Sequence, residues 1–351
     1  MFLFIALTAC TSTPHCEGLS YTDFSQTREL KGTVIPLDTA LFRYPFRIRI
    51  QGDKAVVMDL HGTDYFCHAF SYPEFHYISS FGKRGESPDE QISVENIRWY
   101  GESLWSLDAN KSELTRFGCD LSGDSLFRQE AVNLDKDILR ALDFVMVDDS
   151  TFIIPDYSGD NRFCRVNRQG GLLYKMGAIL SSNEDAMKHA RPALAQAWRS
   201  FIDYNPRNGV LAAVTQLGEV LEVFNLKDST HVVRIGPHGE PEFKLSEGYG
   251  IPTGIMGFSD VQVTDSAIYA VFHGRSFKEI AQNARKSIQV DGGQYIYVFN
   301  LKGEPLCKYV LDHCIYGISV NEQKGTILAT DVNKDEPVSY THLTLPTTPY
   351  V

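Results

Sequence analysis

The chain has 351 residues, of which 43% are hydrophobic and 22% charged; this is ordinary for a globular protein and long enough to bury a large core. Its formal net charge of −11 argues against a nucleic-acid partner and against electrostatic docking on an anionic membrane, because both need a basic surface. An aromatic content of 12% favours β-structure, since Tyr and Phe fit a pleated, half-buried surface.

The first ten residues form an apolar run that ends in Leu7-Thr8-Ala9-Cys10. This ending resembles a bacterial lipobox, in which small residues precede a cysteine that is lipidated and becomes the mature N-terminus. The run is short and lacks a positively charged start, and a buried N-terminal strand is the alternative interpretation. We predict a lipoprotein signal over residues 1–10, lipidation of Cys10 and a polar tether over residues 11–27. No other apolar stretch is long enough to span a membrane as a helix.

Short apolar runs separated by Gly, Asn, Asp and Pro turns fill the middle of the chain. They recur as four strands in a period of about 45 residues, which is typical of a β-propeller. The first unit has strands at 46–50, 55–60, 65–70 and 76–81, and four similar units follow up to residue 311. A sixth unit has strands at 315–320 and 326–331. Residues 29–37 precede all units and are predicted to pair with the last blade, because this closes two open sheet edges.

The last residues, 338–351, resemble the in-frame translation of a transposase adapter used in sequencing-library preparation. We predict an adapter-derived tail here; a genuine Thr-rich strand is the alternative. The sequence therefore predicts an all-β fold, a six-bladed β-propeller over residues 28–337 whose last blade lacks its third strand. Such a chain is expected to be less stable and more prone to aggregate than one extended to its natural end.

Three segments carry a family resemblance: Arg43-Tyr44-Pro45-Phe46-Arg47-Ile48, Val57-Met58-Asp59, and above all Ser80-Phe81-Gly82-Lys83-Arg84-Gly85-Glu86-Ser87-Pro88-Asp89-Glu90. With them the chain resembles the TolB-like six-bladed propellers, which are common as lipoproteins in Bacteroidetes-type bacteria. The Gly-Lys-Arg-Gly loop is shared in looser form with NHL-type propellers. The resemblance implies a fold and an envelope location. It implies no catalytic residues, because function is generally unassigned in this family.

The cysteines after Cys10 show no C-x-x-C pair and no zinc-finger spacing. Three of them lie within strand-like runs, where a free cysteine packs as a small hydrophobe: Cys67, Cys164 and Cys307. We therefore expect buried thiols rather than disulfides.

Candidate ligand residues lie in the predicted loops. The loop at Gly82-Lys83-Arg84-Gly85 could hold an anion, although an interblade turn with positive φ is favoured. Loop histidines could converge on the axis to hold a metal, and loop carboxylates could hold calcium, but neither set has the spacing of a dedicated site. The candidates are His61, Asp64, Lys83, Arg84, Asp156, Asp160, His238, His273 and Arg275.

Long loops are expected at one end of the propeller, at 82–92, 178–196, 236–257 and 274–293. Binding loops on rigid scaffolds are found in such positions. We predict a lipid-anchored protein of the cell envelope, on the outer-membrane or periplasmic side. It would act without a cofactor as a non-enzymatic binding or scaffold module for a protein, small-molecule or glycan ligand. A propeller enzyme of lyase or lactonase type, with a metal on the channel axis, is the alternative.

Overall fold

The computed structural model describes residues 18–37, 42–119, 125–286, 290–334 and 336–341. Their strands form six blade sheets and one separate two-stranded hairpin. The first strand of each blade lies at the channel, and the first strand of blade six contacts that of blade one. The ring is therefore closed, and the predicted six-bladed β-propeller is confirmed.

Three short strands precede the blades: β1 (Gly18–Ser20), β2 (Gln26–Leu30) and β3 (Thr33–Val34). Blades one to three then have four antiparallel strands each. Blade one contains β4 (Pro45–Gln51), β5 (Lys54–Asp59), β6 (Tyr65–Ser71) and β7 (Tyr77–Lys83). Blade two contains β8 (Val94–Tyr100), β9 (Ser103–Asp108), β10 (Glu113–Cys119) and β11 (Leu126–Asn133). Blade three contains β12 (Val145–Asp148), β13 (Thr151–Pro155), β14 (Phe163–Asn167) and β15 (Leu172–Met176).

Blades four to six follow the same radial order. Blade four contains β16 (Ser200–Asn205), β17 (Val210–Thr215), β18 (Val220–Asn225) and β19 (Thr230–Ile235). The hairpin of β20 (Phe243–Ser246) and β21 (Tyr249–Pro252) comes next in the chain. Blade five contains β22 (Phe258–Val263), β23 (Ala267–Phe272), β24 (Gly293–Asn300) and β25 (Pro305–Ile315). Blade six contains β26 (Ile318–Asn321), β27 (Thr326–Ala329) and β28 (Val338–Thr341), with β3 as its outer strand.

The N-terminal segment 18–34, which we call the rim segment, runs along the outer edges of three blades. β1 pairs in parallel with β19, β2 in parallel with β25, and β3 antiparallel with β28. Blades four and five thus gain a fifth strand. Between β1 and β2, the rings of Tyr21 and Phe24 pack against Phe299 at centroid distances of 5.7 and 5.4 Å.

The N-terminal end of the propeller differs from the expectation. A tether was expected over residues 11–27, but from Gly18 onward the described chain is part of the propeller rim. The reason is that β1 and β2 satisfy the outer backbone groups of β19 and β25. One strand was predicted over residues 29–37; residues 33–34 form β3 and pair with the last blade as expected, whereas residues 29–30 belong to β2 on blade five.

Blade six was expected to lack its third strand, and β28 fills that position. Ala329 pairs with Val338 and Ile327 with Tyr340. The side chains of Val338 and Tyr340 are fully buried, whereas Thr341 is exposed. This alternation matches a strand with one face on the core. The adapter origin of residues 338–351 stays a prediction.

The core lies between neighbouring blades, so the second strand of a blade is covered on both faces. All six residues of β17 and all six of β23 are buried. Such continuous apolar runs are typical of strands with two buried faces. The strand cysteines Cys67, Cys164 and Cys307 are buried free thiols, as expected.

The described residues contain three helices: α1 (Glu184–His189), α2 (Arg191–Ala197) and α3 (Phe277–Arg285). Pro192 lies in the first turn of α2, where its missing N–H has no cost. Asn183 caps α1 by accepting from the Ala186 N–H at 3.0 Å.

Candidate functional site

The long connections between the described strands lie at one end of the ring. Strands alternate in direction, so the links between strands two and three and the links between blades share an end. This end, the long-connection face, carries the α1–α2 segment, the β20–β21 hairpin and α3. The opposite end, the short-turn face, carries links such as 52–53, 149–150 and 301–304. The structure thus places the predicted long loops together.

Two loops of this face are fixed to each other by hydrogen bonds. The carboxylate of Glu240, in the connection after blade four, accepts from Ser181 Oγ at 2.6 Å and from the Ser182 N–H at 3.0 Å. α3 has a capping box, in which Ser276 Oγ accepts from the Glu279 N–H and the Glu279 carboxylate accepts from the Ser276 N–H. The connection after blade three is therefore tied to the connection after blade four, and the start of α3 is capped.

A cavity of about 620 Å³ opens beside α3. One wall is apolar and includes Phe277, Ile280 and Ala284 of the helix. The other wall is polar and includes Tyr44 and Asp291, whose side chains are hydrogen bonded with the Tyr44 hydroxyl as donor. This hydrogen bond joins blade one to blade five. We call this space the α3 cavity.

A second cavity, of about 260 Å³, lies at the long-connection end of blade five. We call it the blade-five cavity. Its lining consists of His238, Phe272, His273, Gly274, Arg275, Glu279, Gly292, Gln294, Tyr295, Tyr297 and Lys308. Arg275 also lines the α3 cavity. Its guanidinium donates to the carbonyl oxygens of Val290 and Gly292, which orders the chain between the two spaces.

His273 is the most unusual titratable group of this face. It is 4% exposed, its ring packs edge-on against Tyr316 at 5.5 Å, and neither ring nitrogen has a hydrogen-bond partner in the described residues. Burial lowers the pKa of His273 to about 4, while Asp291 acts to raise it and Arg275 to lower it. The imidazole is therefore neutral at pH 7.

The channel itself is crossed by ion pairs between inner strands. Arg49 donates to both oxygens of Asp260 at 2.9 and 3.0 Å, and Arg98 donates to Asp203 at 2.6 Å and Asp143 at 3.1 Å. Burial acts to raise the pKa of Asp260, but Arg47 and Arg49 outweigh it and the pKa is lowered. These pairs join different blades, which gives them a structural role.

The short-turn mouth of the channel also holds a cavity, of about 350 Å³, lined by the first strands of all six blades. Its polar groups are largely used within the protein. The Gln262 side chain, for example, accepts from the Val320 N–H at 2.7 Å and donates to the Val320 carbonyl at 3.3 Å. Arg98 of this lining keeps one unpartnered atom, Nε, but its other nitrogens are held in ion pairs, whereas both ring nitrogens of His273 are unpartnered. The long-connection face is therefore the better candidate site.

Four of the predicted residues lie around this site. His238, His273 and Arg275 line the blade-five cavity. His61 lies 5.0 Å from Tyr44, measured between ring centroids, and so stands near the α3 cavity. Their role in binding stays a prediction.

The other predicted residues are engaged in local structure. Lys83 forms a surface ion pair with Glu90 at 2.7 Å, and Arg84 donates to the Leu60 carbonyl at 3.0 Å. The backbone of Asp64 accepts from Arg84, the buried Asp156 pairs with Lys175 at 3.1 Å, and the exposed Asp160 lies 3.6 Å from Arg191. Gly82 has φ +66°, as expected for an interblade turn.

Several site residues were missed from the sequence: Tyr44, Tyr316, Tyr295, Tyr297 and Lys308. Tyr44 and Tyr316 come just before the first strands of blades one and six. Residues just before a first strand reach the channel mouth. Their position relative to the predicted first strands could therefore have identified Tyr44 and Tyr316.

The predicted lipidation residue, Cys10, and residues 11–17 of the predicted tether lie outside the described residues. Within the part of the chain that is described, no three His, Cys, Asp or Glu side chains are grouped to hold a metal ion. No helix in the same residues is both long and apolar enough to cross a bilayer.

The fold is similar to that of several solved structures. A protein from Bacteroides fragilis that is inferred to be exported aligns with a TM-score of 0.57 and 9% identity, over 93% of this chain and 100% of its own. A DUF4221 family member from Bacteroides vulgatus aligns with a TM-score of 0.55 and 10% identity, over 90% of this chain and 97% of its own. A streptogramin B lyase aligns with a TM-score of 0.50 and 12% identity, over 89% of this chain and 87% of its own. At these identities the likeness shows the fold alone.

No match is found among curated protein sequences. A profile of the TolB-like 6-blade propeller-like family matches residues 23–323. This match covers all six blades in whole or in part, in agreement with the observed ring. The chain therefore belongs to the TolB-like 6-blade propeller-like family.

Proposed function

We propose that the protein is a non-enzymatic binding module of the cell envelope and that it uses the long-connection face. The observation that carries this proposal is the α3 cavity, where an apolar helix wall faces the polar Tyr44–Asp291 pair. Binding sites combine a mostly apolar lining with a few placed polar groups in this way. The ligand would be a protein segment, a glycan or another small molecule with both kinds of surface.

The proposed location is the outer-membrane or periplasmic side of the envelope, with a lipid on Cys10. It is supported by the lipobox-like Leu7-Thr8-Ala9-Cys10, and one similar structure belongs to an inferred exported protein.

Hydrogen–deuterium exchange of the full chain tests the binding face. The probes are soluble peptidoglycan fragments and, separately, a detergent extract of bacterial envelope proteins. We expect slower exchange in 236–257 and 273–286. Protection confined to short-turn segments such as 206–209, or no protection with either probe, would contradict the proposal.

Matched variants sharpen this experiment. Ala284→Trp places a bulky ring in the α3 cavity, whereas Ala131→Trp places it on the exposed outer strand of blade two. We expect roughly tenfold weaker binding, about 1.4 kcal/mol, for Ala284→Trp only. For the anchor, incorporation of labelled palmitate in a bacterial host should be lost in Cys10→Ala and kept in Cys16→Ala.

A further inference from the structure

The blade-five cavity is walled by two tyrosines of β24 and one lysine of β25. Tyr297 pairs with Lys308 across these strands, so their side chains point to the same face of the sheet. The Lys308 ammonium lies 4.5 Å from the centre of the Tyr295 ring and 5.8 Å from that of Tyr297. These three side chains form one wall of the space.

The hydrogen-bonding groups of this wall are unused within the protein. Lys308 has no ion pair, and the hydroxyls of Tyr295 and Tyr297 have no hydrogen bond, with any described residue. His273 borders the same cavity and also has two unpartnered ring nitrogens. Buried polar groups normally find partners, so the two unpartnered ring nitrogens of His273 indicate an absent ligand or water. The Lys308 ammonium and the two tyrosine hydroxyls are not buried and are available to a ligand in the cavity.

The charge of the lining selects the ligand class. Two permanent cations, Lys308 and Arg275, border the cavity, in a chain whose net charge is −11. Among the lining residues the single carboxylate is Glu279, and it accepts from both the N–H and the hydroxyl of Ser276 at 2.8 Å. Glu219, behind the lining, accepts from Tyr21 and from the His238 N–H. Asp23 and Asp291 also act electrostatically on Tyr297 and His273, and each accepts a hydrogen bond, from the Phe24 N–H and from the Tyr44 hydroxyl. All four carboxylates thus accept hydrogen bonds, whereas the Lys308 ammonium contacts tyrosine rings and has no carboxylate partner among the described residues.

Gly292, which lines the cavity, packs closely against the backbone of β25. Gly292 has φ +96°, and a Cβ atom at this position would lie 2.8 Å from the Ile315 carbonyl oxygen. A side chain at this position is therefore excluded by both conformation and space.

We propose that the blade-five cavity binds an anionic oxygen group, a carboxylate or a phosphate, at the end of a ligand. Lys308 supplies the charge, and the hydroxyls of Tyr295 and Tyr297 donate hydrogen bonds to the anion. This inference rests on the proposed function, because the cavity belongs to the long-connection face, and it assigns the polar end of the ligand bound there.

Isothermal titration calorimetry of the full chain at pH 7 and constant ionic strength tests the proposal, with inorganic phosphate and succinate as probes. We expect saturable binding of at least one probe. Lys308→Met should weaken it at least tenfold, and Lys308→Arg should restore most of it. The matched control is Lys324→Met, since Lys324 also lies over a tyrosine, Tyr72, at 4.9 Å, but at the short-turn face. Tyr295→Phe, which removes one donor and keeps the ring, should weaken binding by a smaller factor.

The two probes distinguish the sources of the anion, because a phosphate-selective site points to a phosphorylated ligand and a succinate-selective site to a carboxylate. Absence of binding with both probes, or equal affinity in Lys308→Met, would overturn the inference. Neither result would affect the exchange experiment, in which a protected long-connection face supports the proposed function independently of the anion.

Discussion

The hydroxyl of Tyr21 donates a hydrogen bond to Glu219 Oε1 at 2.8 Å across 198 residues of sequence. Glu219 Oε2 accepts from the backbone N–H of His238 at 3.1 Å and lies 2.6 Å from its ring Nδ1. One buried carboxylate therefore joins the rim segment, blade four and the lining of the blade-five cavity. A change at the rim can in this way reach the candidate site.

Tyr21→Phe should lower the free energy of unfolding by about 1–3 kcal/mol, because it leaves the buried Glu219 carboxylate with one donor fewer. Urea denaturation followed by circular dichroism measures this. The control is Tyr249→Phe, since Tyr249 is 62% exposed and should lose nothing measurable. Equal unfolding midpoints for both variants and the wild type would show that the Tyr21–Glu219 hydrogen bond is not stabilising.

The Arg162–Glu222 pair should show the asymmetry of buried ion pairs. Arg162 Nε lies 2.6 Å from Glu222 Oε2, and both side chains are almost fully buried. Arg162→Met should cost about 3–5 kcal/mol, because it removes the permanent cation beside the buried Glu222 carboxylate and leaves His231, 3.6 Å away, in its place. The double variant Arg162→Met/Glu222→Leu should be more stable than Arg162→Met alone. Denaturant unfolding of the wild type, Arg162→Met, Glu222→Leu and the double variant checks the prediction. A double variant with a lower free energy of unfolding than Arg162→Met would contradict it.

The stability of the fold should depend on pH through His273. Its pKa is lowered to about 4 by burial, whereas an unfolded histidine has a pKa of about 6.5. The unfolded state therefore binds the proton first, and the stabilisation present above pH 6.5 is lost as pH falls towards 4. The loss is about 3 kcal/mol at 1.36 kcal/mol per pH unit.

Urea unfolding at several pH values between 7 and 4.5 measures this dependence. Asp291 and Arg275 influence His273 and remain in a His273→Gln variant, so the comparison isolates the imidazole. We expect a flatter pH profile for His273→Gln. Parallel profiles for the variant and the wild type would show that His273 titrates normally.

Blade six should depend on β28. Truncation after Pro337 removes this strand, separates β3 from its partner and exposes the edge of β27. We expect a lower thermal midpoint and more aggregation, because an open strand edge recruits other chains. Truncation after Thr341 keeps β28 and serves as the control. If the two truncated chains melt and aggregate alike, β28 does not contribute to the ring.

The sequence predicts the blades because strand alternation and turn residues are local signals. The apolar run of β17 and the turn at Gly82 need no knowledge of distant residues. β28 and the pairings of β1 and β2 were missed because they depend on partners far along the chain. The same holds for the site: His273 and His238 were noticed as loop histidines, but only ring closure places them beside Lys308 and Tyr295.

The rim segment also has a consequence for the order of folding. Its strands are synthesised first, yet their partners β19, β25 and β28 emerge late, and the contact between Gly32 and Asp312 spans 280 residues. Pairings of such sequence separation form slowly, because a long loop must close before any contact is gained. The rim segment must therefore stay unpaired until its partner blades have formed. Pairing of the rim segment should then be the final and slowest step of folding.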